Sequence, residues 1–411
     1  MNNAITEILL AVGTFTGIVL VLSALVLEAR RRLAPSGQCA VVINDQTPIE
    51  VPVGQRLLSV LTGADIQLPT ACGGAGTCGL CKVRVLKGGG EPLPQERGLM
   101  SRAEIRQGVR LACQVPVLAP MNVEVDEVYL SVKTWQCRVV SVRSMATLIN
   151  EIVLQIPEGE TLECRPGSFI QITCPPYQLD YSAIEVDPRF SEAWQQSGLR
   201  SLHAGTDRRV TRAYSLASNP GETERLALNI RIALPPPHSH QIPPGIVSSW
   251  LFSLKPGDAV EVSGPFGVFY VRDTEKEAVF VGGGVGMAPL YAQIRHLLEV
   301  QHSKRRISYW YGARSGSEIY YDDIFERLQK TYDNFSWHPA LSAPAPEDKW
   351  QGATGFIHQV LHDRYLSTHP APEDCEYYLC GPPLMVKAVR AMLDNLGVDR
   401  EDIHFDDFGN G

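Results

Sequence analysis

"AVFVGGGVGMAPLYAQIRHLLEV", Ala278 to Val300, decides how the C-terminal part of this chain is read. Four apolar residues lead into Gly282, Gly283, Gly284 and Gly286, and an apolar-periodic helical pattern follows. A strand that turns through glycines into a helix is the βα step of a parallel doubly wound sheet, where nucleotides bind. The step recurs: "RISYWYGAR" leads into "IYYDDIFERLQKTY", "FSWHPALS" into "GFIHQVLHDRYL", and "CEYYLCGPP" into "MVKAVRAMLDNLGV". An α/β nucleotide-binding domain is therefore expected over 274–411. The glycines do not match G-x-G-x-x-G, so a tight βα turn without a ligand is the competing reading. Cys380-Gly381-Pro382-Pro383 closes a later strand, and ligands of such sheets sit outside the carboxyl ends of the strands. A soft thiol there can lie beside a nicotinamide ring; a buried structural cysteine is the alternative.

Upstream, over 129–273, short β-signals such as "QCRVVSV", "EIVLQIP", "GSFIQITC" and "LALNIRIAL" are separated by Gly- and Pro-rich turns, the pattern of an antiparallel β-barrel. "RAYSLAS" carries Arg212, Tyr214 and Ser215 on one of these strands. A guanidinium can grip phosphate in two-pronged fashion, a tyrosine offers a flat face or a hydroxyl, and a serine can bond a ring edge. Arg212 in a surface salt bridge is the plainer alternative. In "PPGIVSSW", Gly245 and Ser248 open a helix whose free N–H groups suit a pyrophosphate, and "SSWLFSL" reads as that helix, capped by Ser248 or Ser249. Pro175 to Thr211 lacks periodicity, and so long an interruption is expected to be functional or mobile. Near the end, Phe408 could cover a flavin face or plug the terminus.

A third region, 40–128, is read as a small mixed α+β domain built on "AVVIND", "KVRVLKG" and "NVEVDEV". It holds Cys72, Cys78, Cys81 and Cys113, spaced C-x5-C-x2-C-x31-C. Gly73, Gly74, Gly76 and Gly79 surround the first three, permitting positive φ and N–H groups aimed at a multiply negative iron-sulfide core. Plant-type ferredoxins use C-x4-C-x2-C; here the first gap is one residue longer. A [2Fe-2S] cluster is favoured, with zinc or free structural thiols as alternatives. Cys39, Cys137, Cys164, Cys174 and Cys375 have no partner spacing and are read as structural.

The stretch Ile8 to Leu27 carries no charge and is long enough, as a helix, to reach about 30 Å. Arg30, Arg31 and Arg32 follow. Residues 1–33 are thus expected to form a membrane anchor with its basic flank, the N-terminus outside and the remaining domains in the cytoplasm; a buried core helix is the alternative. With 44% hydrophobic residues the chain can form several cores, and its net charge of −8 without a basic run excludes a nucleic-acid footprint.

The order of anchor, cysteine loop, Arg-x-Tyr-Ser barrel, glycine turn and Cys-Gly-Pro-Pro edge resembles the ferredoxin-NADP reductase superfamily with an N-terminal ferredoxin module. More closely, "RAYSLASNP", "NIRIALPPP", "PPGIVSSW", "SGPFGVF", "SYWYGARS", "PEDCEYYLCGPPLM" and "DDFG" resemble the family of F subunits of sodium-translocating NADH:quinone oxidoreductases. The resemblance implies a β-grasp ferredoxin-like domain whose Cys72, Cys78, Cys81 and Cys113 ligate a [2Fe-2S] cluster. It implies that Arg212, Tyr214, Ser215 and Ser248 contact non-covalent FAD, joined by Gly245, with Phe408 covering the flavin. Gly283, Gly284 and Cys380 would line the NADH site, to which the two loops add Gly282, Gly286 and Gly381. Catalytic roles are expected for Cys380, Ser248 and Tyr214. Electrons would pass from NADH through FAD and the cluster to other membrane subunits of a quinone reductase in the inner membrane, where those subunits move sodium. Arg314 and Ser315 could grip a 2′-phosphate, but Glu318, Asp322 and Asp323 would repel one, which favours NADH over NADPH. Two rival readings are a reductase feeding an oxygenase and a membrane-tethered redox sensor with a vestigial nucleotide fold.

Overall fold

Period-two alternation builds the first sheet. In β1 (Gln38–Ile43), Cys39, Val41 and Ile43 are buried and their neighbours are not. A computed structural model of the chain describes residues 2–33, 37–219, 221–235 and 242–406, without the side chains of 2–9, 27 and 29–33. Phe408 and the ends of the expected span Ile8–Leu27 therefore lie outside the described residues or side chains. The chain divides into two units, Met1–Ala64 with Lys82–Asp126, and Asp65–Cys81 with Glu127–Gly411.

In the first unit, β1 joins β2 (Ile49–Pro52), β3 (Lys82–Lys87), β4 (Val109–Leu111) and β5 (Met121–Glu124) in the order β2-β1-β5-β3-β4. The β1–β5 pair is parallel and the other pairs antiparallel. A buried ion pair ties Arg110 (5% exposed) to Glu96 (0%). Arg110 donates through Nε and Nη2 at 3.0 and 2.8 Å, and its Nη1 reaches the Gly89 and Gly90 carbonyls. Burial pushes the Glu96 pKa up, but Arg110 and the N–H groups of Leu93 and Leu111 outweigh it and leave the carboxyl below its ordinary value. The N-terminal helix runs Asn2–Leu33. Among the described residues, no helix is long and apolar enough to cross a membrane.

The second unit holds a barrel and a parallel sheet. The barrel strands are β6 (Lys133–Ala146), β7 (Ile149–Gln155), β8 (Phe169–Cys174), β11 (Val210–Ser215), β12 (Arg225–Arg231) and β13 (Ala259–Phe266), with β9 (Tyr177–Asp180) and β10 (His203–Thr206) as a separate hairpin. Their order is β11-β8-β13-β6-β7-β12, and a bridge between Leu216 and Leu228 joins the two edges. The interruption at 175–211 proves to be packed structure. Asp187 caps a helix, Pro188–Gln196, that begins with proline as helices favour. Tyr181, Phe190 and Trp194 enter the barrel core, and Trp194 Nε1 donates to the Thr147 carbonyl at 2.7 Å.

In the sheet, β14 (Ala278–Gly283), β15 (Ile307–Ala313), β16 (Phe335–Leu341), β17 (Ala353–Thr354), β18 (Glu376–Cys380) and β19 (Ile403–Asp406) are all parallel, in the order β17-β16-β15-β14-β18-β19. The chain runs outward from β14 through β15 and β16, then returns to place β18 on β14's other side. The point of reversal is where such sheets open a ligand crevice.

Residues 272–276 carry the chain from barrel to sheet, and a buried network fixes them. Arg305 donates to the Lys276 carbonyl (2.5 Å), the Arg272 carbonyl (3.2 Å) and Glu376 (2.7 Å). Glu376 also accepts from Thr274 and Tyr378, and Tyr378 accepts the Arg272 N–H. On the opposite side Tyr321, held at φ +60°, donates to Glu151 of β7 and accepts from Asn229 of β12 at 2.9 Å.

Removing one member of a buried pair strands the other charge, at about 3–5 kcal/mol. Arg110→Met is expected to lose that much stability, and adding Glu96→Leu to recover most of it. Because folding lowers the Glu96 pKa, its contribution is present above the unfolded value of 4.5 and is lost as pH falls through the folded value. Denaturant titrations of the full chain at several pH values, followed by circular dichroism, check both the recovery and the acid loss.

Candidate functional site

Tight chain reversals first bring the glycine turn and the Cys380 edge together. Gly286 has ordinary backbone angles, yet a Cβ there would fall on the Cys380 carbonyl and within 2.6 Å of the Gly381 nitrogen. Gly284 has open space around it and instead needs its φ of +54°. Gly283 lies where a Cβ would meet Met385 Sδ at 2.9 Å. Buried Tyr320 and Tyr311 donate to the Gly284 carbonyl at 2.9 and 3.3 Å, fixing the turn from below. Neither tyrosine was expected from the sequence, where both look like ordinary core aromatics. Burial pushes both phenols up, so they remain donors.

Strand register carries the site sideways. Gly282 lies opposite Cys380, and Cys380 opposite Asp406. Asp406 Oδ2 accepts from Ser215 Oγ at 3.1 Å, joining the end of β11 to the carboxyl edge of the sheet. Ser215, Cys380 and Gly282 are thus brought into one place, with Asp406 added. The terminal "DDFG" was the only sequence signal for that aspartate. Cys380 is 0% exposed and packs in the core that contains Tyr309 and Met287, so as the chain stands its thiol is a core group.

On β11, Arg212 and Tyr214 share a face by strand alternation. Arg212 is half-buried, donates to the Thr211 carbonyl at 2.9 Å, and has no ion pair among the described residues. Its guanidinium is a cation of the kind suited to phosphate. Burial raises the Tyr214 phenol far above its ordinary pKa. The helix after "PPG" runs Ile246–Ser253 and its cap is Gly245, not Ser248 or Ser249. Pro243 and Pro244 hold the preceding backbone extended, so the helix starts earlier than expected. Ser248 Oγ donates to the Gly245 carbonyl (3.2 Å) and accepts the Ala233 N–H (3.1 Å), so it shapes the helix entry, while the first-turn N–H groups remain for a ligand.

In the cysteine loop Gly73, Gly74, Gly76 and Gly79 all have φ between +62° and +89°. Cys72 and Cys78 sulfurs are 3.3 Å apart, and no cysteine of the chain forms a disulfide. The Cys78 thiol, with the N–H groups of Thr77, Cys78 and Gly76, holds the Cys72 pKa down to about 3; burial opposes it. Cys78 is pushed up, first by that shared hydrogen bond and then by burial. A thiolate cradled by backbone N–H groups on a glycine loop fits an iron-sulfur ligand set. Cys81 is buried beside them in sequence, and Cys113 is buried just after β4 in the other unit.

Another group brings Glu277, His369 and Cys375 ligand atoms within 4.8 Å of one another. His369 Nδ1 accepts the Ala371 N–H at 3.2 Å, which puts its proton on Nε2, facing Glu277 at 3.3 Å. In this arrangement the three side chains form a hydrogen-bonded group, His369 Nε2 also lying 4.0 Å from Cys375 Sγ.

Comparison with known proteins places these features. Family models match residues 41–118 (2Fe-2S iron-sulfur cluster binding domain), 200–270 (Oxidoreductase FAD-binding domain) and 280–391 (Oxidoreductase NAD-binding domain). The F subunit of the Na(+)-translocating NADH-quinone reductase of Mannheimia succiniciproducens is 48% identical over 98% of this chain and 99% of that relative. The corresponding F subunit of Pseudomonas aeruginosa is equally similar, at 48% over 98% and 99%. The chain belongs to the family of Na(+)-translocating NADH-quinone reductase F subunits. Among solved structures, an Amycolatopsis cytochrome P450 reductase covers 90% of this chain and 98% of its own at 25% identity and a TM-score of 0.61. The ferredoxin reductase in carbazole 1,9a-dioxygenase follows at 25% and 0.58, again over 90% and 98%. Family membership and the three matched domains give this chain FAD and a [2Fe-2S] cluster as cofactors and NADH as substrate.

Gly286→Ala and Gly284→Ala separate contact from conformation. The first is expected to abolish NADH binding or folding, because the intruding carbon meets backbone. The second is expected to cost about 1–2 kcal/mol through its left-handed φ and leave the fold intact. Thermal melts with and without NADH distinguish them.

Proposed function

We propose that the chain is the NADH-oxidising subunit of a sodium-translocating NADH:quinone reductase, passing electrons to membrane partners. The observation that carries this reading is the Ser215–Asp406–Cys380–Gly282 line, which joins the Arg-x-Tyr-Ser strand to the nucleotide edge of the sheet. When bound, FAD supplies the conversion of a two-electron hydride into single electrons, which a [2Fe-2S] cluster can relay. Cys72, Cys78, Cys81 and Cys113 are assigned as the cluster ligands. Arg212 is assigned to FAD phosphate, the first-turn N–H groups after Gly245 to its pyrophosphate, with Ser248 ordering that turn. Tyr214 and Ser215 are assigned to the flavin ring, and Phe408 to covering it. Gly282, Gly283, Gly284, Gly286, Cys380 and Gly381 are assigned to the nicotinamide nucleotide. Asp406 takes the Ser215 proton in a hydrogen bond and so leaves the Ser215 lone pairs for the ring edge. The Glu318 carboxylate, which accepts the Arg314 N–H at 3.1 Å, adds negative charge where a 2′-phosphate would sit and supports NADH.

The N-terminal helix is assigned as a single-pass anchor in the inner membrane, with the N-terminus outside and the catalytic domains in the cytoplasm. Leu10, Phe15, Leu20 and Val26 stand well exposed on it, a surface that lipid would cover. A carboxylate path for sodium within this helix is not part of the reading, so ion movement belongs to partner subunits. The oxygenase-reductase alternative shares the three soluble modules but has no use for such a helix.

An anaerobic NADH titration of the detergent-solubilised chain, followed by low-temperature electron paramagnetic resonance, tests the relay. Flavin bleaching together with a rhombic [2Fe-2S] signal is expected; no bleaching in a preparation that contains FAD would overturn the reading. Arg212→Ala is expected to purify with most of its FAD lost, read from the visible spectrum.

A further inference from the structure

Gln171 is a polar residue in the middle of β8, between Ile170 and Ile172, and is itself only 3% exposed. A buried carboxamide is costly unless each end finds a partner. Its register neighbours, Ala213 on β11 and Ser263 on β13, do not provide them. The partners come from about a hundred residues away in sequence. Gln171 Oε1 accepts from the Thr70 N–H at 2.7 Å and the Thr70 hydroxyl at 2.9 Å, and Nε2 donates to the Leu68 carbonyl at 3.1 Å. A second contact lies just beyond Cys72. At Gly73 (φ +62°) a Cβ would strike the Arg212 guanidinium and lie 3.0 Å from the Thr211 carbonyl. The backbone on both sides of Cys72 is therefore held against β8 and β11, the latter carrying Arg212, Tyr214 and Ser215.

We propose that Gln171 is a positioning residue for electron transfer, clamping the cysteine loop to the flavin-binding strands so that the donor-to-acceptor separation is fixed. The inference rests on the function proposed above. The clamp does not touch the nucleotide edge, so it acts on the step after flavin reduction and leaves hydride transfer alone. It also explains a buried glutamine that the barrel itself does not need.

The test uses the full chain carrying FAD and cluster, in detergent, with Gln171→Leu and Thr70→Val. Stopped-flow mixing with NADH under anaerobic conditions separates flavin bleaching from cluster reduction, and hydrogen–deuterium exchange reports the Thr70 amide directly. For Gln171→Leu, bleaching at the parent rate, cluster reduction slowed by about tenfold or more, faster Thr70 exchange and an unchanged cluster resonance spectrum are expected. Thr70→Val, which keeps its N–H, should show a smaller slowing. Equal slowing of both phases would mark Gln171 as merely structural, and unchanged cluster reduction despite lost amide protection would overturn the clamp, as would a Thr70 amide that exchanges freely in the parent. If Gln171→Leu does not fold, Gln171→Met, a side chain of similar length that removes the acceptor for Thr70 and the donor to Leu68 together, gives the same reading. A parent whose flavin NADH does not bleach overturns the proposed function instead, while Thr70 exchange still tests the contact.

Discussion

Gly286 touches the backbone of Cys380 so closely that no side chain fits between them. Much of the nucleotide half of the molecule follows from that contact. With the two loops pressed together, β14 and β18 pair in register as far as Gly282 and Cys380, and Asp406 on β19 is carried to the same edge. From there one hydrogen bond reaches Ser215 on the barrel. A larger residue at 286 would not only crowd a ligand. It would push apart the strands whose ends define where the ligand goes.

Barrel and sheet share an apolar core, in which Ala146, Ile149 and Ala217 pack with residues such as Phe280, Tyr291 and Tyr309, and polar joints set how they meet. Arg305 and Glu376 lock the crossing segment, while Tyr321 bonds Glu151 and Asn229 on the far side. Burial pushes the Glu376 pKa up, yet Tyr378, Arg305 and Thr274 more than offset it, so the carboxyl stays charged. Such networks add little net stability compared with an apolar contact, but their geometry admits few alternatives. For a protein that must present one ring to another, that selectivity counts for more than the free energy. The positive φ of Tyr321, uncommon for a bulky residue, is tolerated because its hydroxyl and its stacking on Tyr291 at 4.5 Å hold it there.

The parts of this design that were legible in sequence are those written in local pattern. Strand-glycine-helix repeats gave the parallel sheet, and four glycines around three cysteines gave a loop whose positive φ values the structure contains. What escaped was long-range pairing. Asp406 meets Ser215 across 191 positions, and Gln171 meets Thr70 across 101; neither separation leaves a periodic trace. The helix at Pro188–Gln196 was missed for another reason: it is short, and the neighbouring Gly, Ser and Asp residues mask an amphipathic face that buries Phe190 and Trp194. Ser248 was misplaced as a cap because two prolines, not a hydroxyl, set where its helix begins.

The cysteines show how one chain can keep reactive and inert thiols apart. Cys137 is pushed up to about 12 by burial alone, Cys375 to about 12 by burial and the nearby Glu277, and Cys164 and Cys174 also rise through burial. Held as thiols, they are poor metal ligands and poor nucleophiles at neutral pH. Cys72 goes the other way, first because the Cys78 thiol bonds it and then because the N–H groups of Thr77, Cys78 and Gly76 face it, together outweighing burial. The distinction does not come from sequence spacing alone, since Cys375 also has a histidine and a glutamate at hand. It comes from which atoms face the sulfur: a glycine loop turns its backbone donors inward, whereas a packed strand turns them to its neighbours and leaves the sulfur to hydrocarbon.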